Sequence, residues 1–148
     1  LVGTYREPDP DIMKYATVTT VMGQELLNPP SVEGWHWGTE WIDSGALVER
    51  VNFASERLGN LDSPGVQTIV DRIVSGADGK LTAEQVVDRA LDELSIMAVS
   101  DKTRSTLIDF ATSQLDRLLT SPGNTDGVRE EVTNVLKLVG ATPEFQKA

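Results

Sequence analysis

The sequence predicts an all-α fold, a compact bundle of about five to six helices carrying one ordered loop rich in proline, glycine and tryptophan. Three observations lead there. Apolar residues recur at helical spacing in successive segments, and most segments open on a capping residue or close on glycine or proline. The connections are short, which makes consecutive helices packing neighbours. No clean pair of strands competes with this pattern.

Asp9 caps a first helix with Pro10 at its first position. Ile12, Tyr15, Thr19, Met22 and Leu26 form its stripe, widened by Val18. The β-branched run Thr17 to Val21 makes a strand conceivable, but length and period favour a helix. Asn28, Pro29 and Pro30 are expected to stop it, because proline lacks an amide hydrogen and Pro30 biases Pro29 away from helical geometry. Gly34 and Gly38 then frame a compact turn around Trp35.

Ser44 caps a second helix with Leu47, Val48, Val51, Ala54 and Leu58 on its apolar face. Gly59 is expected to close it in a left-handed conformation. Ser63-Pro64 starts a third, with Val66, Ile69, Val70 and Ile73, ended by Gly76. The clearest start is at Thr82. Thr82 caps, Gln85 closes a capping box, and Leu81 staples against Val86. Val86, Val87, Ala90, Leu91, Leu94 and Met97 complete that stripe. Ser100 caps a longer helix carrying Thr103, Leu107, Phe110, Ala111, Leu115 and Leu118. After a turn at Pro122-Gly123-Asn124, Val128, Val132, Val135, Leu136 and Val139 mark a helix ending at Gly140. Thr142-Pro143 opens a last short turn reaching Phe145.

At 148 residues, with 39% apolar and 24% charged side chains, the chain reads as a single helical domain over 1–148, its weakest point near 60–64. It opens at Leu1 without an initiator methionine and is expected to be the C-terminal part of a longer protein. No apolar run approaches the ~20 residues that cross a bilayer, so no transmembrane segment is expected. The absence of cysteine rules out disulfides, thiolate metal sites and cysteine nucleophiles. A net charge of −10 and scattered basic residues oppose binding to nucleic acid or anionic membrane.

Chemistry concentrates between Gly23 and Gly38, which hold two of the three tryptophans and the single histidine. Trp35, Trp37 and Trp41 can seal the end of a helical core. Exposed, they would offer flat faces to sugars, proline-rich peptides or methylated amines. His36 could serve as acid, base or ligand with Glu33, Glu40 or Asp43 nearby. A metal site needs three or four converging ligands, and one histidine among loosely spaced acids does not supply them, so no metal and no cofactor is expected. The segment Asp78-Gly79-Lys80 resembles half an EF-hand, but Val74, Gly76 and Gln85 stand where carboxylates belong. Acids abound, with Glu49, Glu56, Asp88, Asp92 and Glu93 among them, yet glycosidase chemistry needs two across a cleft. Arg50 and Arg57 fit surface ion pairs. Phosphate-loop, dinucleotide and GxSxG motifs are absent.

Met22-Gly23-Gln24, Asn28-Pro29-Pro30-Ser31-Val32, Gly34-Trp35 and Trp41-Ile42 together resemble the C-terminal block of DUF1800, a bacterial family of unknown function. The family's L-x-x-R-x-N-F-A is matched by Leu47, Arg50, Asn52, Phe53 and Ala54, and its closing SPEFQ by Thr142 to Gln146. Val2 to Arg6 is similar to the tail of an earlier helix. Two departures stand out: His36-Trp37 replaces the usual Pro-Gly, and Asp43 the usual asparagine, so His36 takes no role from the family. The resemblance implies the C-terminal part of a larger, mostly helical, periplasmic or secreted protein. It further implies a second exported family, DUF1501, as a possible partner.

The expected function is therefore a noncatalytic structural or interaction domain of an exported envelope protein. The alternative is a hydrolase fragment or glycan-binding protein using the tryptophan loop. The candidate contact surface is Trp35, His36, Trp37, Trp41, Glu33 and Asp43. A loop-shaping role is expected of Gly23, Gln24, Asn28, Pro29, Pro30, Gly34, Arg50 and Asn52. Gln24 and Asn28 should hydrogen-bond loop backbone, since buried amides need partners. Arg50 could reach back to the loop or to Asp43.

Overall fold

The computed structural model describes residues 12–25, 27–35, 44–75, 81–96, 98–119 and 125–147. Among them lie seven helices: α1 (Ile12–Val21), α2 (Ser44–Leu58), α3 (Pro64–Ser75), α4 (Ala83–Glu93), α5 (Asp101–Leu119), α6 (Thr125–Gly140) and α7 (Pro143–Lys147). The described residues contain no strand, only an isolated bridge between Ser31 and Gly34. The all-α prediction stands. The additional helix is α7, where the sequence suggested only a short turn. The chain divides into two compact units, Leu1–Arg50 and Val51–Ala148, with the division inside α2. Residues 60–64 lie within the second unit.

In the second unit α4, α5 and α6 pack on one another, α3 packs on α4 and α6, and α7 packs on α6. The core is built from Val66, Val70 and Ile73 of α3, Val86, Val87, Ala90 and Leu91 of α4, Leu107 and Ala111 of α5, and Val132, Val135, Leu136 and Val139 of α6. These are the positions that the 3.6-residue period places on one face of each helix. Each fully buried valine, leucine or isoleucine contributes about 1.5–3 kcal/mol of transfer free energy. The three buried polar side chains described are all satisfied by backbone carbonyls. Thr133 donates to Arg129, Thr142 to Val139 and Gln146 to Gly140.

The caps explain where these helices start. Thr82 Oγ1 accepts the Gln85 amide at 3.2 Å while Gln85 Oε1 accepts the Thr82 amide at 3.1 Å, completing the predicted box. Leu81 and Val86 are both buried, as a staple requires. Ser100 Oγ accepts the Thr103 amide at the start of α5. Thr142 Oγ1 accepts the Phe145 amide at the start of α7. The exit of α4 uses Ser95 at φ 57, with Ser95 N–H donating to Asp92 and Ile96 N–H to Leu91. That pair of bonds is a Schellman closure with a non-glycine residue at its left-handed position.

Two expectations are corrected. Gly59 has no positive φ, since the only such glycines described are Gly23 and Gly34. A Cβ at Gly59 would stand 2.7 Å from the Ser55 carbonyl oxygen and 2.9 Å from Lys137 Cδ, so close approach, not handedness, suits a glycine there. On α2, Leu47 and Val48 are exposed while Ala46 is buried, so the predicted stripe does not cover the first turns. The expected features at Asp9-Pro10, Leu26, Gly76, Asp78 to Lys80, Met97 and Pro122 to Asn124 lie outside the described residues.

Candidate interaction surface: the loop after α1

The loop begins earlier than the prolines suggest. Gly23 N–H donates to Thr20 O at 3.0 Å and Gln24 N–H to Thr19 O at 2.8 Å. With Gly23 at φ 88, this is a second Schellman closure, and here glycine fills the left-handed position. The helix therefore stops at Val21 through its own backbone bonds, correcting the expected stop at Asn28-Pro29-Pro30. The prolines act inside the loop, where a missing amide hydrogen costs nothing.

Glu25 organises the middle of the loop. Its carbonyl accepts the Asn28 amide at 3.3 Å and the Trp35 indole N–H at 3.2 Å, which ties the two ends of an eleven-residue stretch together. Its carboxylate accepts Asn28 Nδ2 at 2.8 Å. Toward the far end Ser31 O accepts the Gly34 amide at 3.1 Å, and Ser31 Oγ accepts the Glu33 amide at 3.2 Å. Gly34 takes φ 100 and Leu27 takes φ 63, both left-handed. Gln24 and Asn28 thus do not clamp loop backbone through their amides as expected. Both are exposed, and Asn28 bonds a carboxylate instead. Exposed amides satisfy themselves with water, so the clamping falls to the indole of Trp35.

The surface of this segment is apolar at its tips. Leu27 is 86% exposed, Val32 106% and Trp35 38%. Together with Val21, Leu47 and Val48 these are all the exposed large apolar side chains described, and all lie between residues 21 and 48. The loop's charges are Glu25 and Glu33, both exposed, and no lysine or arginine occurs from 21 to 35.

Of the predicted site residues, Gly23, Gln24, Asn28, Pro29, Pro30, Glu33, Gly34 and Trp35 fall together in this loop. Arg50 and Asn52 fall on α2. Asn52 is exposed, and Arg50 is half-buried, with burial pushing its guanidinium pKa down from the ordinary value. His36, Trp37, Trp41 and Asp43 lie outside the described residues. Sequence reasoning missed Leu27 and Val32. The available signal was an apolar residue on each side of Asn28-Pro29-Pro30-Ser31, outside any helical stripe.

Of the acids considered for hydrolysis, Asp88 and Glu93 are engaged between helices, as is Asp71. Asp88 pairs with Arg104 at 2.7 Å, Glu93 with Arg72 at 3.1 Å, and Asp71 with Arg129. Among the described residues no group of three or more histidines and acids could hold a metal ion. Nor is any described helix long and apolar enough to cross a membrane.

No curated protein and no solved structure matches the chain. The family profile described as a protein of unknown function, DUF1800, matches residues 1–147. A match over nearly the whole length accounts for both the loop motif at Gly23 to Trp35 and the closing motif at Thr142 to Gln146, and the chain belongs to the DUF1800 family.

Proposed function

We propose that the chain is a noncatalytic interaction domain of an exported envelope protein, and that its contacts are made by the segment from Val21 to Val48. One observation carries the reading: every exposed large apolar side chain described lies in that segment. Exposed large apolar side chains concentrated in one stretch of chain, rather than scattered singly, suit a contact site. A loop whose backbone is fixed by Glu25, Ser31 and Trp35 also loses little entropy on docking. Of the acids weighed for hydrolysis, Asp88 and Glu93 are tied up in ion pairs between helices. Export and a DUF1501-family partner rest on the family resemblance.

The test is site-specific photo-crosslinking. A photoreactive residue replaces Val32 in one preparation and the exposed Thr112 of α5 in another, and each is mixed with a purified DUF1501-family protein. The expected result is an adduct from position 32 and none from position 112. Adducts from 112 alone, or from neither position, would remove the loop as the contact surface.

A further inference from the structure

We propose that a recess in the second unit binds a small single-chain amphiphile with an anionic head, such as a medium-chain carboxylate. The recess lies where the start of α5 meets the end of α6 and the start of α7. Leu107, Leu138, Ala141 and Pro143 supply its apolar lining, Lys102 and Thr106 also border it, and it encloses about 350 Å³. That volume sits at the small end of the range for small-molecule pockets. Leu107 belongs to the buried core, so the recess reaches the core itself.

Its chemistry selects the ligand. Three threonine hydroxyls border the recess, and each has its hydrogen committed elsewhere. Thr103 donates to the Glu144 carboxylate at 3.0 Å, Thr106 to the Lys102 carbonyl at 2.9 Å and Thr142 to the Val139 carbonyl at 2.7 Å. A sugar or nucleotide placed here would find few donors and would leave its own polar groups unpaired, which is costly. An aliphatic chain asks for none. The lining itself carries a single charge, the cation of Lys102. The chain as a whole is −10, yet the lining contains one lysine and no acid. Lys102 is exposed and takes part in none of the ion pairs among the described residues, so its ammonium is available to an anionic head. The nearby acids are Asp101, its sequence neighbour, and Glu144, which is held by Ser100 and Thr103.

The test titrates the 148-residue chain with octanoate, octyltrimethylammonium and acetate, monitored by amide NMR and calorimetry. Octanoate is expected to give saturable shifts at Lys102, Thr106, Leu107, Leu138 and Ala141, and acetate none. The cationic analogue should bind at least about fivefold more weakly, the scale of one exposed charge pair. Lys102→Glu should weaken octanoate by a similar factor, and its solvent position leaves the fold intact. Thr106→Phe, also at an exposed position, should block the recess while preserving far-UV circular dichroism. Absence of saturable octanoate binding, equal affinity for the cation, or shifts confined to residues 21–48 would each overturn the proposal.

Discussion

Removing the carboxylate of Glu144 should unseat the start of α5, 44 residues earlier in the chain. In an ordinary capping box the third helical residue is a glutamate that reaches back to the cap amide. In α5 that residue is Thr103, and Glu144 from α7 does the reaching instead. Its Oε1 accepts the Ser100 amide at 3.1 Å and the Thr103 hydroxyl at 3.0 Å, while Ser100 Oγ accepts the Thr103 amide. Loss of a cap costs about 0.5–2 kcal/mol. Loss of a negative charge at a helix N-terminus adds about 0.3–1 kcal/mol. Against this, Oε2 is buried and accepts no bond, so the native arrangement already carries a desolvation cost. The net loss for Glu144→Ala is then about 1–2 kcal/mol, a large share of a typical total of about 5–15 kcal/mol.

Far-UV circular dichroism in urea is the suitable assay. No tryptophan occurs in the sequence of the second unit, Val51–Ala148, whereas circular dichroism reads its helices directly. The result that decides is the coupling with Thr103→Val. If the two residues act as one cap, the double variant should lose at least about 0.5 kcal/mol less than the sum of the singles. A loss under about 0.5 kcal/mol for Glu144→Ala, or strict additivity, would refute the shared cap. Acidity gives a second check. The Ser100 amide first, then Glu144's own amide and the hydroxyls of Thr103 and Ser100, hold the Glu144 carboxyl below its ordinary pKa against an opposing effect of burial. A depressed carboxyl stabilises the fold fully above the ordinary glutamate value of about 4.3 and loses that contribution as pH falls through the depressed one. Wild type and Glu144→Ala should therefore differ at neutral pH and converge in acid.

Three further substitutions probe single contacts. Ser95→Gly should stabilise the second unit by about 0.5–1 kcal/mol, because a left-handed position strains any residue with a Cβ, and the urea midpoint measures it. Arg89→Met should cost about 1–2 kcal/mol, since Arg89 Nη1 donates at 2.7 Å to the Ile73 carbonyl near the end of α3. Trp35→Phe keeps a ring but removes the bond to Glu25, so limited proteolysis near Leu27 should quicken by roughly five- to tenfold, the kinetic equivalent of about 1 kcal/mol.

The second unit was legible because its determinants are local. The valines and leucines of α4 and α6 repeat with the helix, and Thr82 and Ser100 announce their starts within four residues. Thr142 caps α7 for the same reason. The features that escaped a sequence reading depend on distant partners or on backbone torsion. Glu144 looks like any glutamate in the first turn of a short helix until folding brings Ser100 beside it. Ser95 carries no mark of its left-handed φ, whereas Gly23, in the same role, could have been recognised by residue type. The prolines at 29 and 30 masked that signal by offering a stronger but later stop.

The loop poses the opposite problem, because its sequence is distinctive while its burial is slight. Gly23 and Gly34 are accounted for by positive φ, Ser31 by its turn, and Trp35 by the indole bond to Glu25. Leu27 and Val32 are accounted for by nothing within the described chain. Both are exposed, Leu27 in addition adopts a left-handed backbone, and a polar residue would suit each position better in water. Serine at both positions should leave stability within about 0.5 kcal/mol of wild type, as for surface sites generally. Leu27→Ser should also abolish crosslinking from a photoreactive residue at position 32 to the DUF1501-family protein. A loss of more than about 1 kcal/mol on Leu27→Ser or Val32→Ser would mean that these side chains serve the fold, and the interaction reading would lose its main support.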